Sequence, residues 1–310
     1  MILTVTMNPA VDEEYFLPEF HVGSWFRANK VDHSAGGKGI NVSIILAQLG
    51  YENAAMGFLA GYNGEYVRDE LRKHQITTNF VHVSGETRTN VFIVDETGNL
   101  ETGIAEPGPY VPEEALERFL VNYKRMLGRA NLVFIGGSLP PGVPQDIYRE
   151  LITTAKEEGK EVFVDAAGVS LAAALDARPT FAKLDYRHSA RSTGFLPTSL
   201  DNIIELFREA HAQGIKCCLA SYRCYGEVFS LPGGVYLAEI DREKVVSMLG
   251  AGEALMAGFI VGKKENMSEE DHIRFAMACA CEDTRHVEKG VYSRKAVEEL
   301  MSSIQVDKLE

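Results

Sequence analysis

The chain is short of three things: basic residues, tryptophan and any cysteine framework. Lys and Arg number 31 against 44 Asp and Glu, a formal charge of −13. That balance argues against nucleic acid or an anionic membrane as the main partner. A phosphorylated small molecule stays open, because a local basic cluster binds anions even on an acidic protein. No apolar stretch is long enough to span a membrane, and the N-terminus lacks the charged flank of a signal peptide. The five cysteines (Cys217, Cys218, Cys224, Cys279 and Cys281) show no disulfide spacing, and an odd number fits a reducing cytoplasm. Cys279 and Cys281 stand two apart on an expected helix, so they face different ways and make a poor metal pair.

What is present is ordinary for a globular protein, with 45% hydrophobic and 24% charged residues over 310 positions. That length suits one large α/β domain with an appendage, or about two domains. Short β-rich runs alternate with helical patterns. Met1–Thr6, Leu132–Ile135, Glu161–Asp165 and Lys216–Ala220 read as strands, and Asp146–Lys156 and Asn202–Gln213 as helices. The alternation predicts a mainly parallel sheet covered by helices, with ligands bound beyond the carboxyl ends of its strands. Ser138, Asp165, Lys183 and Ser221 fall at or just after such ends. Residues 13–33 and 86–102 break the pattern as short strands with turns, Asp95–Asn99 forming a hairpin tip.

The most informative segment is Gly250-Ala251-Gly252-Glu253, followed by a small-residue apolar run that reads as a helix. Such a turn aims free backbone N–H groups at one spot on the positive end of a helix dipole. A carboxylate at the rim suits phosphoryl transfer to a hydroxyl: the dipole stabilises the moving group and the acid takes the proton. Taken alone, the turn reads equally as a helix start that needs glycine for close packing.

Four further motifs join it: Thr6-Met7-Asn8-Pro9-Ala10-Val11-Asp12, Gly36-Gly37-Lys38-Gly39-Ile40-Asn41, Thr87-Arg88-Thr89-Asn90 and Gly136-Gly137-Ser138-Leu139-Pro140-Pro141-Gly142. In this order and spacing the set resembles the PfkB (ribokinase-like) sugar kinases, in particular the branch of 1-phosphofructokinases and tagatose-6-phosphate kinases. The resemblance runs from Met1 to about Phe259. It implies a ribokinase-like three-layer α/β sandwich over 1–310, with a mainly parallel central sheet. The β-like stretches 13–33 and 86–102 would be a small lid that pairs two subunits as a homodimer. The implied activity is phosphorylation of a ketohexose phosphate (fructose 1-phosphate, tagatose 6-phosphate or fructose 6-phosphate) by ATP with Mg2+ in the cytoplasm. Asp12, Gly37, Lys38 and Asn41 would line the sugar pocket. Lys38, Arg88, Asn90 and Ser138 would lie near the acceptor phosphate. The residue types agree: Arg88 can hold a phosphate bidentately, and Lys38 sits in a glycine-rich turn opening a helix. Singly, Asp12 reads also as a turn cap, Asn41 as a helix brace, and Lys38 and Arg88 as surface charges.

The nucleotide side departs from the family pattern. Glu253 stands where relatives carry Asp as the base, and Gly250, Ala251 and Gly252 precede it. The added methylene moves the carboxylate by roughly 1 Å, a displacement that can cost about a hundredfold in rate. Relatives read Lys-Pro-Asn-x-x-Glu where this chain has Lys183-Leu184-Asp185-Tyr186-Arg187-His188. Asp185 could still attract a divalent cation, while His188 removes an oxygen ligand of the kind magnesium prefers. At Ser221-Tyr222-Arg223-Cys224-Tyr225-Gly226 the bulky Tyr222 and Arg223 replace small residues beside the nucleotide. Arg223 either blocks the nucleotide or contacts its phosphates. Met248 and Ala254 replace hydroxyl residues common beside the turn. Two readings follow: a working kinase with local compensation, or a non-catalytic sugar-phosphate-binding pseudokinase that keeps the acceptor half.

Overall fold

The computed structural model describes residues 1–98, 100–184, 199–223, 226–240, 247–286 and 289–310. Seven strands lie parallel in the order β5-β4-β1-β8-β9-β10-β11. They are β1 (Ile2–Thr6), β4 (Asn53–Leu59), β5 (Thr77–His82), β8 (Leu132–Gly136), β9 (Glu161–Ala166), β10 (Phe181–Leu184) and β11 (Cys217–Tyr222). Antiparallel β12 (Gly226–Leu231), β13 (Gly234–Glu239) and β14 (Gln305–Lys308) extend the β11 edge to ten strands.

Period-two alternation sends neighbouring side chains of each strand to opposite faces. Leu132 and Phe134 of β8 pack on one face with Phe163, Phe181 and Leu219, against α1 (Lys38–Gln48), α7 (Ala251–Lys264), α8 (Glu269–Asp283) and α9 (Arg294–Met301). Val133 and Ile135 pack on the other face with Val162 and Val164, against α3 (Glu113–Leu127), α4 (Ile147–Glu157) and α5 (Gly168–Asp176). Two smaller clusters seat α2 (Gly61–Lys73) and α6 (Leu200–Ala212). The result is helix, sheet, helix, the three-layer arrangement expected. The two helices read from sequence fall one or two residues from the observed α4 and α6, whose starts are marked by Asp146 and by the Ser199 side chain capping the Asn202 N–H.

A second sheet of four strands is ordered β3-β2-β6-β7: β2 (Ala10–Leu17), β3 (Lys30–Gly36), β6 (Arg88–Asp95) and β7 (Leu100–Ala105). Its strands reach a few residues beyond the stretches expected from sequence. It is mixed: β2 and β6 are parallel and the outer pairs antiparallel. The Asp95 carboxylate accepts the N–H groups of Gly98 and Phe20, tying the β6–β7 turn to the β2–β3 loop; Asn99 of the expected tip lies outside the described residues. Two of its strands, β2 and β3, are inserted between β1 and α1, and the other two, β6 and β7, between β5 and α3, so both hairpins leave from the carboxyl ends of parallel strands. Among the described residues no helix is long and apolar enough to cross a membrane.

Candidate active site

The expected acceptor side is built by two glycines. At Gly36 a Cβ would lie 2.3 Å from Asp12 Oδ2, so only glycine lets that carboxylate rest against the backbone. Gly37, at φ 111°, turns the chain into α1 and brings Lys38 and Asn41 onto neighbouring positions of its first turn. Asp12 is 4% exposed. Its Oδ1 accepts from Asn90 Nδ2 at 2.7 Å and its Oδ2 from Lys289 Nζ at 2.5 Å. The Arg88 guanidinium donates to the Asn8 carbonyl through Nη2 (3.1 Å) and Nε (3.3 Å), and to the Glu106 carbonyl through Nη1. Burial pulls its pKa below the ordinary guanidinium value, with the charges of Asp12 and Glu106 opposing. Asn8 Nδ2 in turn donates to Ser138 Oγ at 3.3 Å. Asp12, Asn90, Arg88 and Ser138 are thus brought together through Asn8 and the β2–β6 pairing, with Asp12 opposite Asn90 in register.

The reaction side is a charge triangle. Lys38 Nζ donates to Asp165 Oδ2 at 2.9 Å and to Glu253 Oε1 at 3.3 Å. These three residues come from α1, β9 and the first turn of α7. Gly250 caps α7 in the left-handed region, φ 100°, and makes no side-chain cap hydrogen bond among the described residues. The Ala251 N–H donates to the Met248 carbonyl at 3.3 Å, and the Glu253 N–H to the Gly250 carbonyl at 3.0 Å. The expected anion hole of three amides is therefore partly engaged within the turn, and among the described residues the Gly252 amide has no such backbone partner outside the helix. Lys183, 2% exposed, sits beneath it: a Cβ on Gly252 would stand 3.1 Å from Lys183 Nζ. A helix start with an ammonium below it and another beside it is a site for phosphate oxygens. Asp165 Oδ1 is buried with no hydrogen-bond partner, an oxygen of the kind a hydrated magnesium ion takes. By these two observations the residues present fit a magnesium nucleotide.

Among the residues expected at the nucleotide, Ser221 Oγ donates to Glu227 Oε1 at 2.9 Å. Gly226 opens β12 where a Cβ would lie 2.8 Å from the Tyr222 carbonyl. Arg223 holds φ 57° and lays its guanidinium 4.8 Å from the Tyr222 ring centre. Asp185, proposed for the metal, lies outside the described residues, as do His188 and Cys224. Among the described residues no group of three or more His, Cys, Asp and Glu is placed to hold a metal ion. Cys279 and Cys281 are buried in the core against α7 and α9.

Sequence reasoning did not single out Asp283, Glu14 or Lys289, which the structure places beside the expected site residues. Asp165 was visible only as a strand-end acid. Asp283 closes α8 and accepts the Gly290 N–H through Oδ1 at 2.7 Å. Burial pushes its carboxyl up to about 7; the Gly290 bond opposes this and the Glu253 charge adds to it. Glu14, on β2, is likewise pushed up to about 7 by burial, with Lys289 opposing. Lys289 and Asp283 carry no local motif.

Three comparisons bear on this arrangement. The model of the pfkB family carbohydrate kinases matches residues 5–290. The chain is 30% identical over 309 residues to the 1-phosphofructokinase of Bacillus subtilis (strain 168), covering 100% of both. A Thermotoga maritima structure described as a possible 1-phosphofructokinase superposes with a TM-score of 0.90 at 35% identity, over 100% of this chain and 99% of that one. Arabidopsis thaliana ribokinase with ribose and ATP, at 21% identity and a TM-score of 0.73 over 97% of this chain and 98% of that one, shares the fold. The glycine-built acceptor pocket, the Gly250 turn and the matched span agree: the chain belongs to the pfkB family of carbohydrate kinases.

Proposed function

We propose that this protein phosphorylates a ketohexose phosphate to a bisphosphate, with fructose 1-phosphate the first acceptor to test because the Bacillus relative bears that activity in its name. Tagatose 6-phosphate and fructose 6-phosphate are the alternatives. The observation that supports it most is the Lys38–Glu253 contact at the start of a helix whose N-cap glycine carries no side chain, beside the Asp12–Asn90 pair. Magnesium-bound ATP would supply the phosphoryl group. Asp12, Gly37, Lys38 and Asn41 would line the sugar pocket, and Lys38, Arg88, Asn90 and Ser138 would lie near the acceptor phosphate. Lys38 must leave at least one carboxylate to do so. Glu253 would accept the hydroxyl proton while the Gly250-Ala251-Gly252 turn offers its dipole to the transferring group. Lys183, Asp185, Ser221, Arg223 and Gly226 would face the nucleotide. Pairing of two subunits through the small sheet belongs to the same reading, supported by the exposed Leu100 and Ile104 of β7.

A second reading, sugar-phosphate binding without turnover, draws on the same contact: an ion-paired Glu253 is a poor base until Lys38 moves. The test is ADP release from magnesium ATP over the three ketohexose phosphates, with Glu253→Gln and Glu253→Asp beside the wild type. The kinase reading expects wild-type turnover and a hundred- to ten-thousandfold loss in Glu253→Gln, roughly the worth of a general base. A silent wild type whose melting temperature rises with a sugar phosphate alone would establish the second reading instead.

A further inference from the structure

Lys289 follows α8 in a segment remote in sequence from every acceptor motif, yet its side chain is only 7% exposed. Its ammonium meets the small sheet on three strands. It donates to Asp12 Oδ2 of β2 at 2.5 Å and to Ser34 Oγ of β3 at 3.2 Å, and stands 5.9 Å from the ring centre of Phe92 on β6. Its aliphatic stem lies against the reaction turn. A Cβ on Gly250 would stand 3.2 Å from Lys289 Cγ and 2.9 Å from Asp283 Oδ2. The neighbouring Gly290 N–H is fixed by Asp283. One side chain therefore spans from the cap of α7, which precedes Glu253, to the carboxylate that would hold the sugar.

We propose that Lys289 is a positioning residue for the acceptor: it orients the Asp12 carboxylate and fixes the small sheet against the Gly250 turn, so that the bound sugar is held in line with Glu253. The inference rests on the functional reading above. A buried carboxylate is costly unless it is paired and hydrogen-bonded, and its partners fix its geometry. Asn90 supplies one hydrogen bond to Asp12 and Lys289 supplies the charge. A carboxylate accepts about four hydrogen bonds, so Asp12 keeps capacity for sugar hydroxyls while held from both sides. The Lys289 contact is shielded from solvent, so salt screens it weakly.

The test is calorimetric titration of fructose 1-phosphate, tagatose 6-phosphate and fructose 6-phosphate into the wild type and Lys289→Met, well below either melting temperature, with magnesium ATP titrated separately. The Met variant keeps the stem against Gly250 and removes the charge. The expected result is a tenfold or greater rise in Kd for the sugar phosphate that the wild type binds, with the nucleotide Kd unchanged within twofold. A sugar-phosphate Kd unchanged in Lys289→Met, beside a lowered melting temperature, makes Lys289 merely structural and overturns the proposal. A wild type that binds none of the three sugar phosphates overturns the functional reading, and this inference with it. If Lys289→Met does not fold, Lys289→Gln, which keeps an N–H for Asp12, is read by the same criteria.

Discussion

Lys38→Met isolates the charge triangle. Its ammonium serves Asp165, whose side chain is 1% exposed and whose other oxygen has no partner. Removing one partner of a buried ion pair costs about 3–5 kcal/mol, because a charge is left without compensation. Lys38 itself is 31% exposed, so water can enter where it stood, and about 2–3 kcal/mol is the better figure. An unfolding entropy of about 2.1 cal/mol/K per residue gives this 310-residue chain about 0.65 kcal/mol/K. The variant should then melt about 3–5 °C below the wild type, read by calorimetry or far-UV circular dichroism. The cycle with Asp165→Asn sharpens the test. Once the buried acid is neutral, the same Lys38→Met change should cost under about 1 kcal/mol, a coupling typical of residues in one network. A single variant that melts with the wild type, or a double variant whose losses simply add, would refute the claim that Lys38 compensates Asp165.

Two further changes probe the turn and the core. Gly250→Ala places a Cβ 2.9 Å from Asp283 Oδ2 at φ 100°, so strain and displacement together should cost about 2–3 kcal/mol; Gly50→Ala, at φ 85° with nothing within 4 Å, should lose only about 1–2 kcal/mol, and equal losses in the two melts would deny the Asp283 contact. His272, stacked on Phe259 with its Nε2 2.5 Å from the Phe259 carbonyl, is held by burial down to about 4. A group whose folded pKa lies below its unfolded value of 6.5 leaves the unfolded chain binding more protons, so its contribution is intact above pH 6.5 and is lost as pH falls toward 4. Melting temperatures of the wild type should fall over that window more steeply than those of His272→Gln; parallel curves would exclude His272 as the cause.

The sheet was legible because its strands write their faces plainly. Val133 and Ile135 face one layer, Leu132 and Phe134 the other, and glycines close the run at Gly136. The expected acceptor residues came from the order and spacing of the family motifs, and the structure shows what lies against the glycine pair among them: Asp12 at Gly36. What sequence did not reveal was the pairing across the cleft. Lys38 meets Asp165 across 127 positions and Glu253 across 215, and Lys289 meets Asp12 across 277. Such contacts are set by how layers stack, and no local pattern encodes them. The anion hole illustrates the same limit at short range. The glycines announced a turn, but whether its amides face outward or bond back to Met248 and Gly250 depends on backbone angles that composition leaves open.

The position of β1 has a consequence for how the chain is made. It is an early strand in the sequence, fully buried, and it sits mid-sheet with Ile2 opposite both Asn53 and Leu132. A nascent chain must therefore extend through Gly136 before β1 can acquire both neighbours. At about 5–20 residues per second the stretch from Thr6 to Gly136 takes roughly 7–26 s, during which an apolar strand waits with at least one unpaired edge. Parallel pairings at such separation form slowly, since loop closure precedes any gain in contacts. Production in a cell should accordingly depend on what shields Ile2–Thr6 during synthesis, and substitutions that slow β8 docking should appear first as lost soluble yield, with the folded molecules that do form keeping wild-type stability.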